Sequence, residues 1–270
     1  MIIDTHTHIF REETYKTYFA KADGKVSKTL TLYYPISSKS ENEISRVRLE
    51  ELVAFAQSKD NLFVIGSVNM EEDISAQLQL LEKLFEEQKI FGVKLYPGYQ
   101  HFYPSDEKVH FIAELCQKYN KPLLFHAGDV YDPDGIAELK YSHPIHVDGL
   151  AVKFPQCKIV IAHFGFPYHL ETANMVSKNT NVYTEISGTI LQPDFPKEIE
   201  NLMNQYAKDL ERAFVYFPDV RTKTMFGTDY GGEHTPLNQI EPYIELVKRV
   251  FLEDGQEQVY YKLAENIFFN

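Results

Sequence analysis

The sequence predicts a single α/β domain, 1–270, folded as a (β/α)8 barrel of the TIM type. Three observations support this prediction. Short β-branched runs alternate with amphipathic helical stretches, eight such pairs can be counted, and the runs are apolar almost throughout. Near-continuous apolar strands are typical of a parallel sheet covered by helices. Eight such pairs in 270 residues fit a closed barrel better than an open sheet with helices on both faces.

Each element follows from its own pattern of apolar residues. The strands are predicted at 2–8, 29–34, 62–68, 91–96, 122–126, 158–163, 181–187 and 224–230. The helices are predicted at 12–20, 40–58, 73–88, 106–119, 147–154, 169–178, 197–212, 237–251 and about 256–264. Two helix starts have local signals: Ser40 and Glu43 have capping-box spacing, and Thr235-Pro236 places a cap residue before a first-turn proline.

Composition limits the classes of partner. With 27 basic and 39 acidic residues the net charge is −12, which disfavours broad binding to nucleic acid or anionic membranes. No apolar run is long enough to span a membrane, and the start of the chain lacks the features of a signal peptide. The two cysteines, Cys116 and Cys157, lie in or beside apolar stretches and indicate buried thiols in a reduced, cytoplasmic protein. We therefore expect a small-molecule substrate, and the sequence leaves a homodimer open.

A pair of histidines, His6 and His8, closes the first predicted strand. Alternate residues of a strand point to the same side, so both imidazoles face one direction. Two neutral imidazoles held together are suited to Zn²⁺ or a similar divalent ion.

Polar, metal-binding residue types also end three later strands. His126 ends strand five, His163 ends strand six, and Asp229 lies at the end of strand eight, each with glycine close behind. Buried polar groups need partners, so four strand ends of this kind are hard to explain by core packing. In a barrel these ends meet at the C-terminal face, where active sites are built. The sequence therefore predicts a metal site at that face.

A lysine, Lys94, occupies the matching place on strand four. A lysine inside an apolar strand is costly unless it is paired or chemically altered. Two interpretations follow: an amine that binds a substrate anion, or a carbamate that bridges two metals. Tyr96 and His101, in and after the same strand, are candidate substrate contacts, and Glu185 near the end of strand seven is a candidate acceptor that orients a ligand histidine.

Together, these positions resemble the metal-dependent amidohydrolase superfamily. The segments Ile3-Asp-Thr-His-Thr-His, Phe154-Pro with Ile161-Ala-His-Phe-Gly, Phe226-Gly-Thr-Asp and Ala264-Glu-Asn-Ile-Phe are similar to its amidohydrolase-related branch. That branch includes aminocarboxymuconate-semialdehyde decarboxylase, resorcylate decarboxylases and several lactone or amide hydrolases.

The resemblance implies roles for the matching residues. His6, His8, His126 and Asp229 match ligands of one divalent ion, expected to be Zn²⁺, and Asp229 also takes a proton from water. His163 matches an acid/base in one-metal members, whereas in two-metal members it binds metal together with a carboxylated Lys94. The residues after Lys94 resemble members in which the lysine is unmodified, so we expect one ion, with Asp229 and His163 as the catalytic residues.

Four functions remain to be compared. We expect a metal-dependent hydrolase of a small amide, ester or lactone. The alternative is a metal-dependent decarboxylase or hydratase of a small carboxylic acid, that is, a lyase. A TatD-like phosphodiesterase commonly has Glu in place of Lys94 and is disfavoured, and a non-catalytic metal-binding scaffold has no support because all the ligand-type positions are filled.

Overall fold

The computed structural model describes residues 1–35, 47–130, 135–190, 196–233, 235 and 237–270, with only the backbone described for 196 and 197. Eight parallel strands form one sheet in the order β1 to β8. They are β1 Ile2–Thr7, β2 Val26–Leu32, β3 Leu62–Ser67, β4 Val93–Leu95, β5 Leu123–Phe125, β6 Ile159–Ile161, β7 Val182–Glu185 and β8 Thr224–Met225. The sheet closes where the Thr5 N–H donates to Phe226 O (3.0 Å) and the His8 N–H to Tyr230 O (2.7 Å). The predicted barrel is confirmed.

Helices follow the strands along the chain. They are α1 Glu12–Ala22, α2 Leu49–Gln57, α3 Ser75–Glu86, α4 Glu107–Lys118, α5 Leu139–Ser142, α6 Val147–Lys153, α7 His169–Lys178, α8 Pro196–Tyr216, α9 Glu241–Val250 and α10 Glu253–Glu257. Short 3-10 turns lie at Pro144–His146, Ala162–Gly165 and Pro218–Lys223, and π-helical segments at Gln258–Lys262 and Glu265–Phe269 end the chain. None of the described helices is both long and apolar enough to cross a membrane.

Two predicted helices differ from the structure at their starts. Of the predicted helix 40–58, the structure describes α2 from Leu49, and its start is stabilised by Glu51, whose carboxylate accepts the Arg48 N–H at 3.1 Å. The predicted start at 40, with Ser40 and Glu43, lies outside the described residues. Helix α9 begins at Glu241 rather than at 237, because the first-turn proline is Pro242. The Thr235 hydroxyl instead accepts the Leu237 N–H (3.2 Å) within the preceding loop.

The C-terminal segment fills the N-terminal end of the barrel. Its buried side chains join the inward-facing residues of the strands in one cluster: Ile3, Leu30, Leu32, Ile65, Leu124, Val160, Met225, Leu263, Ala264, Ile267 and Phe268. Lys121 and Lys158, which precede β5 and β6, donate from Nζ to Phe268 O (2.7 Å) and Asn266 O (3.2 Å). The predicted final helix, 256–264, is thus part of a longer segment that extends to Phe269. This apolar packing occupies the N-terminal end of the barrel, so buried polar side chains can be accommodated at the opposite, C-terminal end.

Candidate metal centre

The residues that could bind a metal or exchange a proton lie together at the C-terminal end of the barrel. His6 lies in β1 and Lys94 in β4, His126 directly follows β5, and His163 and Asp229 lie in the segments after β6 and β8. All five are buried, with exposed fractions between 0% and 8%. The barrel therefore brings together the residues that the sequence singled out, although their order along the chain spans more than 220 positions.

Two of these residues have an unusual backbone conformation. His163 has φ 60° and Asp229 has φ 62°, in the left-handed region that side chains other than glycine seldom adopt. The strain is held by hydrogen bonds, from the Asp229 N–H to His6 O (2.7 Å) and from the His163 N–H to Glu185 Oε1 (2.9 Å). Because a strand cannot continue through such residues, β6 and β8 cannot extend through His163 and Asp229 as the sequence predicted, and they end at Ile161 and Met225. Strain of this kind clusters at functional sites.

His6, His8 and Asp229 form the centre of the site. The Nδ1 atom of His6 faces Glu185 Oε1 (2.9 Å) and that of His8 faces Leu32 O (3.1 Å). Both partners only accept hydrogen bonds, so both Nδ1 atoms carry the proton and the neutral rings keep a lone pair on Nε2. These Nε2 atoms lie 3.3 Å and 3.1 Å from Asp229 Oδ1.

This arrangement fits a divalent cation. Two nitrogen lone pairs and a carboxylate oxygen, all within 4.8 Å of one another, repel unless a positive charge lies between them. Burial, with a smaller effect of Lys94, lowers the pKa of His6 well below its usual range, so this ring does not supply the charge as a proton. Imidazole nitrogens oriented by acceptors on their other nitrogen are typical metal ligands.

Asp229 remains ionised in this setting. Burial raises its pKa, but the neighbouring His6, His8 and Lys94 together lower it below the ordinary value. The side chain is therefore suited to bind a cation and to accept a proton.

His126 lies beside this group and faces His163. Its Nε2 donates to Asp129 O (2.8 Å), so the lone pair of the neutral ring is on Nδ1. That Nδ1 atom is 3.1 Å from His163 Nε2. His126 is thus not in the three-residue group, and Nδ1 is the atom it has available for a metal. His163 belongs with His6 and Glu185 to a second set of nearby ligand atoms.

Lys94 places an amine in the interior of the site. It is fully buried, and no described residue accepts a hydrogen bond from its Nζ. Burial lowers the pKa of Lys94 to about 8, although Glu185 and Asp229 raise it. A buried amine with this pKa is still protonated at neutral pH, and among the described residues it has no anionic partner in direct contact.

The loop after β4 divides into inner and outer residues. Tyr96 is buried, lies 5.6 Å from Lys94 Nζ and donates its hydroxyl to Tyr33 O (2.9 Å). The ring of Tyr99 packs 4.9 Å from that of His126. His101, in contrast, is exposed, bonds to Ile136 O (2.8 Å) and stacks on a tyrosine of the outer rim.

Sequence reasoning missed two residues that support the site. The Ser187 hydroxyl lies within 3.1 Å of His6, His163 and Glu185; its only signal was its position two residues after Glu185. Asp4 accepts from the N–H groups of His6 (3.2 Å) and Thr228 (3.1 Å), and from the hydroxyls of Thr228 and Tyr18 (2.7 Å each). Asp4 thereby ties β1 to the segment that carries Asp229. The signal for Asp4 in the sequence was a charged residue within an apolar strand, which is also what singled out Lys94.

Comparisons with known proteins agree with this architecture. A comparison with curated protein sequences found no significant match. Among solved structures, the chain is similar to an uncharacterised TIM-barrel protein from Bordetella bronchiseptica (17% identity, TM-score 0.71, covering 98% of this chain and 97% of the other). It is also similar to a probable 2-pyrone-4,6-dicarboxylic acid hydrolase from Acinetobacter baumannii with citric acid bound (15%, 0.68, 100% and 99%). A third is 5-carboxyvanillate decarboxylase from Novosphingobium aromaticivorans, complexed with manganese and 4-hydroxy-3-methoxy-5-nitrobenzoic acid (13%, 0.64, 100% and 96%).

At these identities the solved structures show the fold alone. The family is shown by a separate comparison, in which the family model described as Amidohydrolase matches residues 3–254. This match includes every strand, apart from the first residue of β1, and every residue of the centre. The chain belongs to the amidohydrolase family.

Proposed function

We propose that this protein is a metal-dependent hydrolase of a small amide, ester or lactone that carries a carboxylate. The observation that carries the proposal is the meeting of three lone-pair atoms, on His6, His8 and Asp229, around one point. Hydrolysis needs a site that binds a cation and a group that accepts a proton from water, and these residues offer both.

One divalent ion, proposed to be Zn²⁺, would be held by His6, His8 and Asp229, with Nδ1 of His126 as the fourth ligand atom. When bound, such an ion polarises a substrate oxygen or a water molecule as a Lewis acid. A second ion is disfavoured while Lys94 remains an amine, because its positive charge opposes another cation. Carboxylation of Lys94 would reverse that sign and allow His163 to act as a ligand.

Each residue has a defined task in this proposal. Asp229, which its lowered pKa keeps in the ionised form that a base requires, accepts a proton from the attacking water. His163 exchanges a proton with the leaving group from Nε2. Lys94 binds the substrate carboxylate, and Tyr96, whose ring centroid lies 5.6 Å from Lys94 Nζ, is a further candidate contact. His101 on the rim is a candidate contact for the outer part of a larger substrate. The ligands named for two of the solved structures, citric acid and a nitrobenzoic acid, are carboxylic acids, which is consistent with this substrate class.

A decarboxylase is the second candidate. The observation in its favour is that His126 Nδ1 presents a lone pair to His163 Nε2, so His163 carries its proton there and is placed as a donor. Decarboxylation needs such a donor to protonate the carbon that loses CO₂. Asp229, held ionised, is a proton acceptor instead, and this supports hydrolysis.

One assay separates the two reactions. Protein loaded with Zn²⁺ or Mn²⁺ is incubated in ¹⁸O-labelled water with carboxylated lactones, esters and amides and with aromatic carboxylic acids. We expect ¹⁸O in the product carboxylate, and an Asp229→Asn protein with turnover lower by about 100-fold or more. Asp254→Asn, an exposed aspartate of α10, is the control. Release of CO₂ without ¹⁸O incorporation would assign the decarboxylase, and equal turnover of Asp229→Asn would remove Asp229 as the base.

A cytoplasmic location remains part of the proposal. It is supported by the two cysteines, Cys116 and Cys157, which are buried and form no disulfide.

A further inference from the structure

The chain turns back on itself directly after His126. The turn is made at Gly128, whose φ of +96° lies in a region that glycine adopts without strain. It brings the carbonyl oxygen of Asp129 back to the histidine ring, 2.8 Å from Nε2. The orientation of the His126 ring therefore depends on where the backbone of residues 128 and 129 lies.

The loop after β6 leaves no space for a side chain at Gly128. A Cβ atom there would lie 2.7 Å from the carbonyl carbon of Phe166 and closer still to its oxygen. That oxygen also accepts the Asp129 N–H at 2.6 Å. The obstructing atoms belong to the backbone, so they cannot move aside as the end of a flexible side chain would. Glycine therefore permits the close approach of two loops whose histidines, His126 and His163, have ring nitrogens 3.1 Å apart.

Ser142 holds the same turn from the other side. Its carbonyl oxygen accepts the Gly128 N–H (2.7 Å), and its hydroxyl donates to Gly128 O (2.6 Å). Ser142 is buried and packs against Gly98 in the loop after β4, where a Cβ atom would lie 2.9 Å from that of Ser142. The turn is thus fixed between the loops that follow β4 and β6.

We infer that Gly128 is a positioning residue that, anchored by Ser142, sets the place of the His126 ring at the metal centre. Asp129 O contacts Nε2, so Nδ1 is the nitrogen that the ring directs towards His163. A backbone carbonyl bonded to the second nitrogen of a ligand imidazole orients the ring, and such partners contribute about 10- to 100-fold to metal affinity. This role rests on the proposed function, in which His126 supplies the fourth ligand atom.

Gly135 offers a matched control in the same loop. Its φ is +67°, and no described atom would lie within 4 Å of a Cβ at this position. Alanine at position 128 or 135 carries the strain of the left-handed conformation, but only at 128 does it meet the backbone of another loop. A difference between Gly128→Ala and Gly135→Ala therefore reports the contact between loops rather than the strain.

Zn²⁺ affinity, measured by competition with a chromophoric chelator, tests the inference without any substrate. We expect Gly128→Ala to bind Zn²⁺ about 10- to 100-fold more weakly than wild type, and Gly135→Ala to stay within about twofold. Ser142→Ala, which keeps the turn but removes one of its hydrogen bonds, should show a smaller loss in the same direction. In a His126→Ala background, Gly128→Ala should have no further effect, because the residue through which it acts is absent.

Three results would overturn the inference. They are a folded Gly128→Ala with the affinity of wild type, an equal loss in Gly135→Ala, and an undiminished effect of Gly128→Ala in the His126→Ala background, which would indicate a merely structural role. If Gly128→Ala does not fold, Ser142→Ala decides, and an unchanged affinity of that variant would overturn the inference.

Failure of the proposed function gives a different result. Wild type that binds no Zn²⁺ would refute the metal centre, and the position of His126 is then read from its ring contact with Tyr99, whose centroid lies 4.9 Å away. Nuclear Overhauser spectra of the metal-free protein detect this contact. It should persist in Gly135→Ala and weaken in Gly128→Ala, and its full persistence in Gly128→Ala would overturn the positioning role.

Discussion

Glu185 orients His6, the proposed metal ligand, and the effect of replacing Glu185 by glutamine can be calculated. Oε1 accepts from His6 Nδ1, the His163 N–H and the Ser187 hydroxyl, each at 2.9 Å, and Oε2 accepts from the Ser187 N–H at 2.6 Å. In Glu185→Gln one of these oxygens becomes an NH₂ group. Even in the better orientation, with the amide oxygen toward His6, the Ser187 N–H then faces another donor.

We expect two measurable losses from this change. The unpaired buried donor costs about 1–3 kcal/mol in the free energy of unfolding, measured with urea on the metal-free protein. The loss of a charged acceptor for His6 weakens Zn²⁺ binding by about 10- to 100-fold, or about 1.4–2.7 kcal/mol, measured by competition with a chromophoric chelator. Glu241→Gln, at a surface ion pair with Lys25, is the control. A Glu185→Gln dissociation constant within about twofold of wild type would refute the assignment of His6 as a ligand oriented by Glu185.

Three further predictions concern residues around the centre. A Cβ atom on Gly188 would overlap the His163 ring, so Gly188→Ala should displace this ring and lower kcat while Zn²⁺ content stays near one per chain; unchanged kcat would contradict the close packing of the ring on Gly188. Asp4→Ala leaves four hydrogen-bond donors without an acceptor and should lower the free energy of unfolding, measured in urea, by about 3–5 kcal/mol. A loss below about 1 kcal/mol would show that these hydrogen bonds to Asp4 contribute little to stability. The pKa of Lys94 falls from 10.5 in the unfolded chain to about 8 in the folded protein. Its buried charge therefore lowers the free energy of unfolding by about 3 kcal/mol below pH 8, and this destabilisation disappears as the pH rises to 10.5. Metal-free Lys94→Met should therefore be more stable than wild type at pH 7 and lose this advantage near about pH 10, while activity on carboxylated substrates falls; a less stable variant would refute the unpaired amine.

The sequence predicted the barrel because its strands are buried on both faces and therefore read as continuous apolar runs. It predicted most helix starts to within two residues but misplaced that of α9, since capping signals such as Thr235-Pro236 also stabilise turns, as Thr235 does here. The predicted strands six and eight ran on through His163 and Asp229 because the left-handed conformation of these two residues depends on hydrogen bonds to distant residues.

The candidate site was predictable in its residue types and less so in its arrangement. Charged residues within apolar strands, such as Lys94, could be recognised in the sequence. Tyr99 contacts His126, whereas His101 stacks on a tyrosine of the outer rim. This difference depends on the path of the loop after β4, which the pattern of apolar residues does not encode. Ser187 has an ordinary residue type, and only the folded chain brings its hydroxyl into contact with His6 and His163 beside the neighbouring Glu185. The extent of the domain, 1–270, and the assignment of one ion stay predictions.

The metal-to-chain ratio tests the central claim most directly. Wild type, His6→Ala, His8→Ala and an exposed-histidine control, His101→Ala, are loaded with Zn²⁺, passed through a desalting column and analysed by elemental mass spectrometry, with circular dichroism to verify the fold. We expect about one ion per chain in wild type and in His101→Ala, and most of it lost from folded His6→Ala and His8→Ala, since each variant removes one of three converging lone pairs. Full occupancy in folded His8→Ala would contradict the metal centre, and two ions per chain with added mass on Lys94 would replace the one-ion site by a two-ion site.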